Sequence, residues 1–344
     1  MKRAALVGCG DVSAVHFEAL GLLAGVELVA ICDTDPDVLE SVSKQLGVQG
    51  FSTVAEMLQV AKPDVLHITT PHDAHVDYAI EALAAGVSVL VEKPVGNEIA
   101  AGQRLVDFAA ELQATAAAAN SISPKIGVCY QNRYNVSSGV LKRLLESGAL
   151  GKVIGAYSTV AWARTRDYYT EKPWRGQLQR SGGGLLMNQA IHTLDLIQWL
   201  VGEVIDVIGS VSTDKYGDVS DCEDTAHALF THESSATTSF YGTLTLSKNR
   251  PVEIELDCEN AYVQLIDGLE VHWKDGRVER FEERSASTSG RSYWGVSHEL
   301  LIQDFYSNLD NPEPFWISPA EAMKSLKMAK QTYESSNSKS VITR

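Results

Sequence analysis

The stretch RAALVGCGDVSAVH, residues 3–16, decides the fold class of this chain. A short apolar run stops at Gly8 and helical spacing follows at once, which predicts a strand, a tight turn and a helix. Gly8, Gly10 and Ser13 have the spacing G-x-G-x-x-G/A, in which the second glycine leaves room beside the helix N-terminus. The free N–H groups and the dipole of that terminus favour an anion such as a pyrophosphate. We therefore expect a dinucleotide to contact Gly8, Gly10, Asp11 and Val12.

Asp33, at the end of the next predicted strand (26–33), supports this expectation. It stands about 20 residues after the glycines, where a carboxylate accepts hydrogen bonds from the adenosine ribose hydroxyls. The same charge would repel a 2′-phosphate, and Thr34 follows where a basic residue would favour one, so NAD is expected rather than NADP. The alternative, a solvated residue that caps the following helix, suits Asp35 better than Asp33.

Strand and helix patterns continue to alternate through residue 124. The helix at 35–47 has Asp35 at its N-cap, Pro36 in its first turn and Gly47 as its stop, and strands are predicted at 64–70, 87–93 and 125–134. Such alternation predicts right-handed crossovers and a doubly wound parallel α/β sheet of the Rossmann type, here assigned to residues 1–124.

The pattern changes after residue 150 to a helix at 182–202 and several strand-like runs separated by turn signals. We assign residues 125–344 to an α+β domain for substrate binding and oligomerisation, with a large, mostly antiparallel open sheet. An open sheet presents a wide surface that proteins normally cover, so a homodimer or homotetramer through this sheet is expected.

Composition limits the possible partners. The formal charge of −15 argues against nucleic acid, and no apolar run is long enough to span a membrane. The amino terminus lacks the features of a signal peptide, and the five scattered cysteines form no disulfide or metal pattern. We expect a cytoplasmic protein that binds small molecules.

Four motifs taken together resemble the Gfo/Idh/MocA oxidoreductase family, which includes glucose-fructose oxidoreductase and inositol dehydrogenases. They are GCGDVSAVH (8–16), TTPHDAH (69–75), VEKPVG (91–96) and SGGGLLMNQAIHTLD (181–195). The resemblance implies an NAD-dependent dehydrogenase that acts on a secondary hydroxyl of a sugar, a cyclitol or a sugar derivative. It also implies a cis peptide bond before Pro94 and cofactor contacts from Thr70, Pro71, His75, Glu92, Lys93, Trp162 and Arg164.

The resemblance further implies that Lys93 and His192 are catalytic and share the proton of the reacting hydroxyl. A base is needed there because a hydride leaves the carbinol carbon only if the hydroxyl proton leaves too. The alternatives are an ion pair of Lys93 with Glu92 and a structural role for His192. Asn188, His192, Asp195 and Trp199 share one stripe of the predicted helix, beside an apolar stripe, which favours a functional histidine.

The family has an aspartate four residues before this histidine, where this chain has Asn188. An amide orients a hydroxyl but cannot share its proton, so we expect His192 to be a neutral base and Asn188 only to bind substrate. The glycines at 182–184 are expected to let the chain approach the first domain closely.

The segment 161–180 concentrates arginines and aromatic residues. Two interpretations remain open: arginines that bind an anionic part of the substrate, or ordinary salt bridges. The predicted substrate contacts are Asn188, His192, Tyr169, Arg175 and Arg133, with Tyr134 and Tyr293 as weaker candidates. The remaining histidines show no metal-ligand spacing, so no metal is expected. Two other functions stay open, a glycosidase-type family member that uses NAD transiently and a non-catalytic NAD-binding regulator.

Overall fold

A computed structural model describes residues 1–283 and 297–339, and the chain divides into two compact units. Unit 1 comprises Met1–Gln131 and the described part of Ala286–Met323. Unit 2 comprises Asn132–Ser285 and Lys324–Arg344, again where described. The sequence-based boundary at residue 124 lies close to the first change of unit, but the later return of the chain to unit 1 was not predicted.

Unit 1 contains a six-stranded, wholly parallel sheet in the order β3-β2-β1-β4-β5-β6. Its strands are β1 (Lys2–Val7), β2 (Val26–Cys32), β3 (Gln49–Phe51), β4 (Val65–Ile68), β5 (Ser88–Val91) and β6 (Ile126–Val128). The helices between them are α1 (Ser13–Leu22), α2 (Pro36–Leu46), α3 (Val54–Ala61), α4 (His75–Ala84) and α5 (Ile99–Ala118). This confirms the doubly wound parallel sheet predicted from the alternating pattern.

The residues predicted to begin and end α2 do so in the structure. The Asp35 side chain accepts hydrogen bonds from the backbone N–H groups of Asp37 and Val38, and Gly47 ends the helix in the left-handed conformation, at φ 67°. The strand predicted at 125–134 is wrong in length, because β6 ends at Val128 and a 3₁₀ helix occupies Gln131–Tyr134.

Unit 2 contains an eight-stranded sheet in the order β14-β13-β12-β11-β7-β10-β9-β8, antiparallel except between β7 and β10. Its strands are β7 (Val153–Ala161), β8 (Val204–Ser212), β9 (Thr225–His232), β10 (Thr237–Thr243), β11 (Glu253–Cys258), β12 (Ala261–Leu265), β13 (Gly268–Trp273) and β14 (Val278–Glu282). The helices are α6 (Val136–Glu146), α7 (Asp167–Thr170), α8 (Leu178–Ser181), α9 (Leu185–Asn188) and α10 (Ile191–Val201), with a 3₁₀ helix at Pro173–Gly176. The predicted open sheet is confirmed.

The two faces of this sheet differ in exposure. Leu141 of α6 and Leu196 of α10 pack in one apolar cluster with strand residues such as Leu256 and Val263. The strands alternate buried and exposed residues, as expected where one face packs on a core. The opposite face carries exposed large apolar side chains, which are Ile154, Tyr157, Ile205, Ile208, Leu229, Tyr241, Tyr262 and Val278.

Two helices follow the sheet, α11 (Ser297–Ser307) and α12 (Pro319–Lys339). Helix α11 belongs to unit 1 and packs against α1. Among the residues that the structure describes, no helix combines the length and the apolar character needed to cross a bilayer.

Candidate functional site

The glycine turn between β1 and α1 has two glycines with different constraints. Gly8 has φ +91°, and a Cβ there would lie 2.8 Å from backbone atoms of Thr69 and Thr70. A Cβ on Gly10 would meet nothing within 4 Å. The fold therefore requires glycine at position 8, whereas at position 10 glycine keeps open the space beside the start of α1, where an incoming phosphate fits.

Asp33 is joined to this turn. One carboxylate oxygen accepts the backbone N–H of Cys9 at 2.7 Å, and the other accepts that of Asp35 at 2.9 Å. The side chain is half-buried, and its oxygens keep lone pairs for further donors. Because Asp35 provides the cap of α2, the capping alternative does not apply to Asp33, and its ribose contact stays a prediction. These residues fit the adenosine and pyrophosphate parts of NAD.

His75 is fully buried. It lies between the segments 69–75 and 91–96, both of which resemble motifs of the family that contact the cofactor. Its ring nitrogens lie 2.8 Å from the Pro94 carbonyl oxygen and 3.0 Å from the Thr70 carbonyl oxygen. Thr70 and Pro71 themselves are half-exposed. This arrangement supports a role for His75 in holding the two loops together, with Thr70 and Pro71 left accessible to a ligand.

The Glu92-Lys93-Pro94 motif follows directly after β5, and its Lys93–Pro94 peptide bond is cis, as the resemblance implies. Lys93 is half-buried, whereas Glu92 is 4% exposed. One Glu92 oxygen lies 3.2 Å from His16 Nε2 and 3.3 Å from His298 Nε2, and the other accepts the Lys93 backbone N–H at 3.2 Å.

Two more side chains extend this buried group. His16 Nδ1 lies 2.8 Å from His67 Nδ1, and His67 Nε2 lies 3.0 Å from the hydroxyl of Tyr306. The possible metal-ligand atoms of His16, Glu92 and His298 all lie within 4.8 Å of one another. Sequence spacing missed this cluster, because its members come from α1, the end of β5 and α11. The expectation that the protein uses no metal stays a prediction.

The predicted single helix over 182–202 is wrong, because it is divided into α9 and α10 at Gln189 and Ala190. The backbone N–H of Ala190 donates to the Leu185 carbonyl, five residues back, so the regular helical pattern stops there. Asn188 and His192 therefore lie on different helices rather than on one stripe. They remain half-exposed, while their immediate neighbours are buried.

The glycines before α9 pack within unit 2. A Cβ on Gly183 would collide with the hydroxyl of Tyr333, and one on Gly184 with the carbonyl of Glu223. The buried Glu223 carboxylate accepts the backbone N–H groups of Gly184 at 2.7 Å and Leu186 at 2.8 Å. Burial raises the pKa of Glu223, and these N–H groups oppose that shift. The glycines thus serve this anchor of α9, and the close approach to the first domain stays a prediction.

The basic segment of unit 2 is organised around Tyr168. The Arg175 guanidinium carbon lies 4.3 Å from the Tyr168 ring centre, and that of Arg164 lies 5.2 Å from it and 5.1 Å from the ring of Trp162. The Tyr168 hydroxyl accepts a hydrogen bond from the Gln189 side chain at 2.7 Å, which ties the segment to the break between α9 and α10. Arg166 forms a salt bridge with Asp218, as the second interpretation of this segment predicts.

Two predicted substrate contacts lie in the interior of unit 2. Tyr169 is 2% exposed and packs against the rings of Tyr168 and Tyr216. Arg133 forms a doubly hydrogen-bonded ion pair with Asp195, at 2.8 and 2.6 Å. These positions favour structural roles for both, and Tyr168, which packs against Tyr169, is half-buried. Tyr293 lies outside the described residues.

Comparison with known proteins identifies both units. Residues 2–119 match the model of an oxidoreductase family with an NAD-binding Rossmann fold, and residues 140–264 match the GFO/IDH/MocA C-terminal domain. Together these matches span more than half of the chain.

Among curated proteins, the chain is 27% identical to a D-apiose dehydrogenase of Paraburkholderia graminis over 236 residues, which is 68% of this chain but 58% of that enzyme. It is 27% identical to a D-glucoside 3-dehydrogenase of Escherichia coli, over 64% of this chain and 60% of the relative. Among solved structures, it resembles the WlbA dehydrogenase of Bordetella pertussis in complex with NADH and UDP-GlcNAcA. The TM-score is 0.84, the identity 28%, and the coverage 98% of this chain and 96% of the other. The chain belongs to the Gfo/Idh/MocA oxidoreductase family, with an NAD-binding Rossmann domain at its amino end.

Proposed function

We propose that this protein is a dehydrogenase that transfers a hydride between NAD and a secondary hydroxyl of a sugar, a cyclitol or a sugar derivative. One observation carries the proposal: in the fully described run 181–201, every residue is buried except Asn188, His192 and Trp199. A polar pair kept accessible on an otherwise buried segment suits the recognition of a hydroxylated ligand. The names of the two curated relatives, dehydrogenases of a sugar and of a glucoside, support this substrate class.

Two residues are proposed to be catalytic, Lys93 and His192. Bound NAD supplies the hydride acceptor, and the protein has to remove the hydroxyl proton and stabilise the developing alkoxide. Lys93, half-buried at the end of β5, donates a hydrogen bond to that oxygen. His192 takes the proton as a neutral base, and the amide of Asn188 orients the hydroxyl without exchanging a proton.

Asp33 is proposed to select NAD over NADP. Its two oxygens already accept two backbone N–H groups, which fixes the carboxylate beside the glycine turn. A 2′-phosphate at the same place would meet this fixed negative charge, and the exposed Thr34 offers no cation to compensate for it. A ribose 2′-hydroxyl instead donates a hydrogen bond to the carboxylate.

Arg164 and Arg175 are proposed to bind an anionic group of the substrate, next to the ring of Tyr168. Both guanidinium groups are half-buried and stacked on aromatic rings, and this arrangement fixes their orientation. The WlbA relative carries a nucleotide-linked sugar acid in its structure, which supports this choice. Uronates and nucleotide sugars are therefore expected to be better substrates than neutral polyols.

The test is NADH formation, followed by absorbance, with NAD and a panel of inositols, aldoses, uronates and nucleotide sugars. We expect turnover with one class, loss of turnover in His192→Ala, and wild-type turnover in the control His272→Ala, which changes a histidine on β13. Binding of NAD without any turnover would instead indicate the regulator. Cleavage of an aryl glycoside without added NAD would indicate the glycosidase-type reaction.

We also propose that the exposed face of the eight-stranded sheet joins copies of this chain into a homodimer or homotetramer. Ile208 of β8 and Leu229 of β9 are directly paired across the sheet, and both are exposed. Light scattering is expected to give a dimer or a tetramer, and Leu229→Glu to shift it towards the monomer. A wild-type monomer would refute this assembly.

A further inference from the structure

The buried cluster around Glu92 has a defined arrangement of protons. The Glu92 oxygen shared by His16 and His298 can only accept if the carboxylate is ionised, so both Nε2 atoms donate to it. His16 Nδ1 then carries no proton and accepts from His67 Nδ1, and His67 Nε2 accepts from the hydroxyl of Tyr306. Every contact in the cluster then has one donor and one acceptor.

The charges agree with this arrangement. Burial alone would raise the pKa of Glu92, but the hydrogen bonds from His16 and His298 outweigh burial and hold that pKa well below its ordinary value. Burial lowers the pKa of His16 and of His67, so both rings stay neutral near pH 7. Glu92 is therefore ionised and lies next to a neutral His16. Nδ1 of His298 is buried without a hydrogen-bond partner among the described residues.

The same atom of His298 argues against a metal ion in this cluster. A histidine that ligates a metal through Nε2 carries a proton on Nδ1 and normally donates it to an acceptor. Within the described part of the chain, Nδ1 of His298 has no such acceptor. An N–H group buried there without an acceptor would cost free energy, so a carboxylate hydrogen-bonded by the histidines suits the geometry better than a metal site.

The strand order places this anion on the nicotinamide side of the cofactor site. Asp33 follows β2 and the glycine turn follows β1, whereas Glu92 follows β5, on the other side of β1 in the order β2-β1-β4-β5. A dinucleotide lies across the carboxyl ends of such strands, with its pyrophosphate at the glycine turn. Since Asp33 receives the adenosine ribose, the nicotinamide extends towards β4 and β5.

We infer that Glu92, held ionised by His16 and His298, is a fixed buried anion that stabilises the positively charged oxidised nicotinamide relative to the neutral reduced form. Glu92 also holds the backbone of Lys93, so it positions that residue. The inference rests on the NAD-binding part of the proposed function and does not depend on the identity of the substrate.

The test compares the dissociation constants of NAD⁺ and NADH, by calorimetry and by NADH fluorescence, for wild type and Glu92→Gln. Glutamine keeps the shape but removes the charge, so the affinity ratio of NAD⁺ to NADH is expected to fall about tenfold. This is the order of effect expected when one unit charge is removed from a partly buried site with an effective dielectric constant of about 20. Glu81→Gln, which removes an exposed carboxylate of α4, is the control and leaves the ratio unchanged.

Two variants of His298 distinguish an effect of the Glu92 charge from an effect on the folded structure. His298→Gln keeps a neutral donor and is expected to preserve the wild-type ratio, whereas His298→Phe removes the donor and shifts the ratio towards that of Glu92→Gln. Equal weakening of both cofactor forms in Glu92→Gln and His298→Phe would reduce the cluster to a purely structural role and overturn the inference. A stoichiometric metal in the purified protein, lost in Glu92→Gln, would overturn it in favour of a metal site.

Discussion

The buried ion pair between Arg133 and Asp195 makes a quantitative prediction about stability. Both side chains are 1% exposed, and the guanidinium donates to both carboxylate oxygens. Asp195→Asn would leave the arginine charge buried without its counter-charge, and this is expected to lower the free energy of unfolding by about 3–5 kcal/mol. In the double variant Arg133→Met/Asp195→Leu no charge remains, and most of that loss is expected to be recovered.

The assay is urea unfolding followed by tryptophan fluorescence, since the ring of Trp199 lies 5.3 Å from the Arg133 guanidinium. Asp77→Asn is the control, because its pair with Arg104 is mostly exposed and is expected to contribute less than about 1 kcal/mol. A loss below about 1 kcal/mol in Asp195→Asn would refute the reasoning. So would a rise in KM for the substrate in Arg133→Met without loss of stability, which would restore the substrate contact expected from the sequence.

Two further predictions concern unit 1. Gly10→Ala is expected to weaken NAD binding at least tenfold in calorimetry without lowering the melting temperature. Gly8→Ala is expected to lower the melting temperature, because its Cβ would clash with backbone atoms. An equal decrease of the melting temperature in the two variants would contradict this difference. Burial lowers the pKa of His67 and His75 below the unfolded value, so their contribution to stability is full above about pH 6.5. Below that pH it falls by at most about 1.4 kcal/mol per histidine for each pH unit, until the folded pKa is reached. Urea unfolding at pH 7.5 and 5.5 measures this loss, and equal stability at both would count against it.

Features set by neighbouring residues were predictable from the sequence. The glycine turn, the cap at Asp35 and the stop at Gly47 depend on backbone groups only a few positions away, so their patterns are short and specific. The parallel sheet followed from the alternation of strands and helices, because crossovers of that length leave few other arrangements.

Features set by distant residues were not predictable. Helical spacing continues through residues 182–202, yet the break at Gln189 arises where Glu223 anchors the backbone before α9 and Tyr168 binds the Gln189 side chain. Arginine is frequent both at anion sites and in buried ion pairs, and only the fold shows that Arg133 meets Asp195. Residue type indicates which interactions are possible, and tertiary contacts decide among them.

The return of α11 to unit 1 bears on how the protein is made. Helix α11 packs against α1 and supplies His298 and Tyr306 to the buried cluster, so a fragment that ends at Gln131 contains the glycine turn but lacks this helix. In such a fragment the α1 surface that α11 covers is bare, and Glu92 has lost one of its donors. On the ribosome, the cofactor-binding unit therefore reaches its final packing only after Ser307 has been synthesised, which is later than the synthesis of every strand of the unit 2 sheet.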